Sequence, residues 1–396
     1  MSRLPPGALA VLFAIVPLYG TLATLDPSRP PIPPLLPAAG SVVVGLIAVA
    51  ALVVVAANVV RAVPWDALTF AFLAPGVATV LAGITGFDPA FGIGLGLLIV
   101  GVGFAGLAVA RVADAATIRL CVRAFLWSAL AACLIALAMM LTHRPAAIYA
   151  YNNGRAIGTF LNANELAAYA LVGLGLAVPL AVTSRGRDRL ALACALVLLV
   201  TLGATFSRWG ALSAVVGLAV YALAARTRLL LVAAAAVALA GIAVDLSAGA
   251  SHHNPRDTQA RTVAWRTGLT TFERFPLLGV GPLAFAKTYD ALRPPEAPGS
   301  RNAVAFDPHS LPIAFAADGG IIAVVTLAVS FTIVLRRVLR AARGAPPRAC
   351  AVALGLAAGL VALLVDSAIN TVVLFFVLGL QVVPLSLAVV RTDALE

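Results

Sequence analysis

The run LLLVAAAAVALAGIAVDLSAGASHHNPRDTQARTVAWR, residues 229–266, decides the class of this chain. It begins as an apolar run fit for hydrocarbon and turns polar at Asp245. From there to His309 runs the only long polar segment between two hydrophobic spans, and it holds three of the chain's four histidines. Almost everything on either side is continuously apolar. Chemistry in this protein therefore belongs to residues 245–309 or to the mouths of the helices that frame them.

Composition points the same way. Hydrophobic residues make up 62% of the 396 and charged residues 11%, where soluble domains carry roughly 25% charged residues. A span needs about 20 apolar residues. Backbone groups in lipid must be satisfied within the segment, and the alternating pattern of a barrel is absent, so the spans are helices. The fold class expected is an all-α polytopic membrane protein with about twelve transmembrane helices and one large periplasmic loop containing short helices. The spans fall near 7–24, 37–60, 67–85, 90–110, 120–141, 165–183, 189–206, 208–225, 229–247, 310–335, 348–366 and 368–390. The chain divides into membrane helices over 1–247, the polar loop over 248–309 and three further helices over 310–396. The amino terminus, with one arginine before an apolar run and no convincing small-residue cleavage site, reads as the first helix.

Arginine placement orients these spans. With the amino terminus inside, inner connections and termini hold sixteen arginines, from Arg3 to Arg391. Short outer connections hold only Arg29, Arg144, Arg155 and Arg208. That asymmetry places both termini in the cytoplasm and residues 245–309 outside. The net charge of +11 is thus a topology signal and not a nucleic-acid signature: lysine is nearly missing and no dense basic tract appears. Cys121, Cys133, Cys194 and Cys350 lie in or beside apolar spans, which makes them small core residues with no disulfide framework and no metal site.

Several familiar patterns are absent. Gly101, Gly103 and Gly106 match a dinucleotide-binding spacing on paper, but they sit inside an apolar span with no preceding strand; like Gly92 and Gly96, they read as close helix packing. There is no phosphate-binding P-loop and no acidic pair for a divalent metal. Span interiors hold almost no charge, which weighs against an ion-coupled carrier.

Four features at the outer face carry the chemistry. In Gly158-Thr-Phe-Leu-Asn-Ala-Asn164, Asn162 or Asn164 caps the next helix; such a terminus attracts anions, and the bland alternative is a plain cap. In Ser207-Arg-Trp-Gly210 the connection is too short for a loop, so Arg208 sits at the outer surface, where its fork suits phosphate; the bland alternative is a snorkelling arginine anchored by Trp209. A helix starting near Asp257 or Thr258 places Arg261 and Trp265 on one face. Leu269, Phe272 and Phe275 make it interfacial, and Arg261 is the better anion ligand with Arg266 in reserve. Finally, Asp307-Pro-His309-Ser310 sets a histidine at a helix start, where it can act as a base near neutral pH. Asp307, Asp318 or Asp366 can orient its ring. His252 and His253 read as solvated.

Together these features resemble the O-antigen ligase and polymerase superfamily of bacterial envelope enzymes. The resemblance rests on Gly-Thr-Phe-x-Asn-x-Asn at 158–164, Ser-Arg-x-Gly at 207–210, Arg-x-x-x-Trp at 261–265, Pro-Leu-Leu-Gly-Val-Gly at 276–281, and Pro-His-Ser with a following acid-Gly at 308–319. It covers about 155–335. The resemblance implies glycan transfer from undecaprenyl diphosphate, outside the cytoplasmic membrane of a bacterium. The acceptor is lipid A–core for a ligase and another lipid-linked repeat for a polymerase. It assigns functional roles to Arg208, Arg261 and His309, with Arg266, Asn162, Asn164, Trp265, Asp318 and Asp366 as substrate-binding candidates. Where members of that family carry Glu before the glycine, this chain has Asp318. No cofactor or metal is implied. Partners are the lipid-linked donor, the acceptor and membrane lipids. Transfer to protein side chains and polysaccharide transport are the competing readings.

Overall fold

The computed structural model describes residues 6–18, 38–60, 63–151, 153–160, 162–226, 255–293, 307–370, 375–392 and 395. The expected span at 229–247, the prolines near 30–34, His252 and His253 lie outside these residues.

The described residues form fourteen helices and no strand: α1 Pro6–Ala14, α2 Ala38–Val59, α3 Ala67–Thr85, α4 Pro89–Arg111, α5 Ala115–Thr142, α6 Ala146–Tyr151, α7 Ala163–Thr183, α8 Arg189–Ala204, α9 Arg208–Ala224, α10 Pro255–Arg274, α11 Phe285–Leu292, α12 Leu311–Ala342, α13 Pro347–Ile369 and α14 Phe375–Thr392. Six of these are long and apolar enough to cross a membrane: α3, α4, α5, α7, α12 and α13. Shorter apolar stretches occur at Gly45–Val59, Arg189–Ala204, Arg208–Ala224 and Gln381–Thr392. Each expected span outside the undescribed stretch coincides with a helix, the first only in part. The chain is a multi-pass membrane protein.

Small residues let the helices approach. The α3–α4 hairpin is a close pair: a Cβ on Gly76 would meet the Val100 backbone nitrogen at 2.7 Å, and one on Gly83 would meet Gly92 carbon at 2.6 Å. The glycine series in α4 is a packing device, because lipid gives helices no hydrophobic reason to associate and contact area must come from close backbones. Helix α13 runs through the middle, against α7, α9, α12 and α14.

Polar groups segregate to two ends. At one end Asp66 caps α3 by accepting from the Leu68 and Thr69 amides at 3.0 Å, and its other oxygen meets Arg111, with Arg337 at 3.9 Å. Asp114 caps α5, and Arg391 donates to the carbonyls of Ala110 and Ala113. At the other end lie the connections 155–162, 205–207, 275–284 and 307–310.

One expected helix differs in kind. Span ten is not continuous: α12 breaks at Gly320, at φ +62° and ψ −163°. Residues 276–281 thread the break. Val280 and Gly281 amides donate to the carbonyls of Ala317 and Asp318, and the Ile321 amide donates to Pro276 carbonyl at 2.8 Å. The break thus leaves few orphan groups, as low-dielectric surroundings require. Gly279, at φ +66°, and Gly320 cannot be replaced, since a Cβ on either would meet backbone at 2.3 Å. Helix α11 falls in the polar loop, where short helices were expected; α6 was not anticipated, being short and without a long apolar run.

Candidate functional site

The site is built at the end opposite Asp66. Of the two capping candidates it is Asn162 that caps α7, accepting from the Asn164 and Glu165 amides at 2.9 and 3.0 Å. Those amides are consumed by the cap. Asn164 is thereby released for a different task. Its Oδ1 accepts from Arg155 Nη2 at 2.9 Å and Ser207 Oγ at 3.1 Å. Two donors on one oxygen fix the amide's orientation, so its Nδ2 donates to Asn370 Oδ1 at 3.2 Å. Asn370 Nδ2 then donates to Asp366 Oδ1 at 3.1 Å. Arg155 also binds the Thr205 carbonyl at 2.7 Å, which holds the end of α8.

This chain of bonds ties together the starts of α7 and α9 and the end of α13. Ser207 caps α9 by accepting from Gly210 N–H at 3.2 Å, so Arg208 is its first helical residue and is exposed at the mouth. Asp366 is fully buried, and its Oδ2 has no hydrogen-bond partner among the described residues. Among the described residues, Arg261 of α10 exerts an electrostatic pull on it. Arg266, one turn further, is exposed. The indole Nε1 of Trp265 is buried without an acceptor among the described residues.

His309 belongs to a second group. It sits at φ +51° just before α12, with its amide donating to Asp307 Oδ1 at 2.6 Å and its Nδ1 at 3.7 Å from the same oxygen. Its side chain is 34% exposed. Asp307 is therefore the carboxylate that faces this ring; Asp318 and Asp366 have other contacts. Asp318 Oδ2 accepts from Leu283 N–H at 3.0 Å, while its Oδ1 is buried without a hydrogen bond among the described residues. Helix α10 joins the two groups: a Cβ on its Gly268 would meet Pro308 at 3.3 Å and Ile313 at 2.5 Å, and two turns earlier Arg261 lies within electrostatic range of Asp366. Below the mouth, an apolar groove runs between α7, α9 and α13 past Leu171, Gly175, Ala214, Gly217, Ala358 and Gly359.

Sequence reasoning missed Arg155, Asn370 and Glu165. Each left a signal. Arg155 is one of four arginines in short outer connections. Asn370 follows Asp366 by four residues, one helical turn. Glu165 stands three after the cap, the capping-box position, and is 1% exposed. Among the described residues no group of three His, Cys, Asp or Glu side chains is placed to hold a metal ion.

The arrangement offers arginines at one end of the helix bundle, a partly exposed imidazole with a carboxylate, and an apolar groove beneath. Residues 192–328 match the family model described as O-antigen ligase. The matched stretch contains Arg208, Arg261, Trp265, Arg266, His309 and Asp318; Asn162, Asn164 and Asp366 lie outside it. No curated protein matches the chain.

Proposed function

We propose that this chain, whose residues 192–328 match the O-antigen ligase family model, is an O-antigen ligase. It transfers a glycan from undecaprenyl diphosphate to lipid A–core at the periplasmic face of the bacterial inner membrane. Twelve spans, with both termini cytoplasmic, put the Asn164–Asp366 end outside. The observation that supports this reading is the meeting of helix ends at Asn164, which bonds Ser207, the cap before Arg208, and Asn370, the cap of α13, with the charge of Arg261 acting on nearby Asp366.

The chemistry follows from that placement. Departure of the diphosphate concentrates negative charge at the lipid surface. Guanidinium groups held there in advance stabilise it without reorganising. His309 takes the proton from the attacking sugar hydroxyl, and Asp307 orients the ring. The displacement is single, inverts the anomeric centre and needs no divalent metal. Asn162, Asn164, Trp265, Arg266 and Asp366 flank the donor, and the groove between α7, α9 and α13 takes the polyprenyl chain. A carrier is the weaker reading. Broken helices in carriers leave their ends to bind ions, whereas the break in α12 is filled by residues 276–281.

The test is purified protein in vesicles with lipid-linked donor and each acceptor in turn, without an energy source. Product on lipid A–core supports the ligase. Product only on a second lipid-linked repeat makes the enzyme a polymerase, product on protein side chains makes it a protein glycosyltransferase, and no product from either lipid acceptor removes the ligase reading. A strict magnesium requirement overturns the mechanism.

A further inference from the structure

We infer that Asp318 is a positioning residue that latches the α10–α11 layer onto the break in α12. The inference rests on the transferase reading, because its importance lies in holding Arg261 and His309 in one geometry.

The latch has two parts. The first is the backbone stitch of residues 276–281 through the break, with Gly279 and Gly320 in left-handed conformations and no room for a Cβ at either. The second is the carboxylate. Asp318 Oδ2 receives Leu283 N–H at 3.0 Å. Leu283 itself is held at φ +55°. A bulky residue adopts that conformation only where its surroundings impose it. Leu283 stands two residues ahead of α11, whose Phe285 and Tyr289 pack on Ala264 of α10 and Ala317 of α12. The same strand of loop reaches across to the α3–α4 turn, where Phe87 N–H donates to Val280 carbonyl at 3.0 Å and Lys287 pairs with Asp88 at 3.2 Å.

What the latch positions is functional on both sides. Upstream, the stitch begins two residues after α10 ends, and α10 carries Arg261 and Trp265. Downstream, Asp318 lies two turns into the helix that His309 precedes, within electrostatic reach of Asp307, the partner of His309. Loss of the carboxylate releases the start of α11 and lets α10 drift from α12. The arginine and the imidazole then lose register, although neither is touched.

The test compares wild type, Asp318→Ala, Asp318→Asn and Gly320→Ala in vesicles, with kcat and donor KM expressed per folded molecule and trypsin cleavage at Arg274 and Lys287 measured in parallel. A misplacement of about 1 Å costs on the order of 100-fold in rate. The latch predicts that size of fall in kcat for Asp318→Ala with KM nearly unchanged, and faster cleavage. Asp318→Asn restores both within about threefold, because the amide oxygen still accepts the Leu283 N–H. Gly320→Ala keeps the carboxylate yet behaves like Asp318→Ala. Wild-type kcat in Asp318→Ala overturns the inference. So does a folded Asp318→Asn as inactive as Asp318→Ala, which would mean the charge acts on substrate. If the wild type transfers nothing, the transferase reading fails, and the cleavage pattern alone decides the latch: equal protection of all four proteins removes it.

Discussion

The two ends of the helix bundle treat their acids differently. At the Asp66 end each aspartate is committed. Asp66 caps α3 with one oxygen and meets Arg111 and Arg337 with the other; Asp114 caps α5. At the opposite end, Asp366 and Asp318 each have one oxygen bonded and one buried with no hydrogen bond among the described residues. An unsatisfied buried polar atom is costly and is rare in native structures. A fully satisfied acid is there to hold helices. A half-satisfied buried one is held for something else.

The sharpest way to break this contrast is to remove charge at the site end. Arg208→Ala and Arg261→Ala are expected to lower transfer by about 100- to 1,000-fold, the scale for losing one donor to a developing anion. His309→Ala falls in a similar range for a lost base. All three proteins stay folded in the membrane. Steady-state rates on the reconstituted enzyme check this, and wild-type activity in Arg208→Ala removes the diphosphate clamp. Arg266→Ala, one turn from Arg261 but exposed, separates the two arginines: it is expected to retain most of the activity.

Asp366→Asn comes next. It keeps the bond to Asn370 within reach but deletes the charge that faces Arg261. The loss is about 1.5–3 kcal/mol, or roughly tenfold to a hundredfold in kcat/KM. A change confined to thermal stability would place Asp366 with the structural acids.

At the other end the expected readout reverses. Asp66→Ala costs about 1 kcal/mol of stability, as capping residues do, and leaves kcat unchanged. Burial alone would raise the Asp66 carboxyl, but hydrogen bonds from Thr69 and Arg111, the charge of Arg111 and the Leu68 amide outweigh it and hold it below the usual range. Its folded value is thus the lower one. The carboxylate's contribution is fully present above the unfolded pKa and drains away as pH falls through the folded pKa. Unfolding in detergent between about pH 7 and about pH 3 should show a decline in wild type that is smaller in Asp66→Asn, where Asp88 and Asp114 still titrate from lowered values. The smallest effect is expected at His252 and His253: alanine at either leaves transfer unchanged, and a loss there would move the imidazole chemistry away from His309.

Much of the helical layout was legible because hydrophobicity alone writes it. Apolar runs, arginine asymmetry and glycine spacing need no partner to be read, and α3, α4 and α7 lie within a few residues of expectation. Helix α6 escaped notice because it lacks an apolar run long enough to stand out. The break in α12 escaped for another reason. Asp318-Gly-Gly reads as a weak spot in a helix, and only the distant segment 276–281 supplies the amides and carbonyls that make a break tolerable in a span.

The site divides along the same line. Sequence by itself determined which residue types stand near the outer ends: Arg208 before a helix, Arg261 and Trp265 on one face, His309 after Asp307. It also determined that the intervening helices must be buried in lipid. Only the tertiary structure decided that Asn162 is the cap and Asn164 the hub, that Asp307 faces His309, and that Asp366 looks toward Arg261. Those are choices between side chains that are equal in one dimension. Hydrogen bonds and charges act over a few ångströms through space, and Asn164 and Asn370, 206 positions apart, become partners only when α7 and α13 pack side by side.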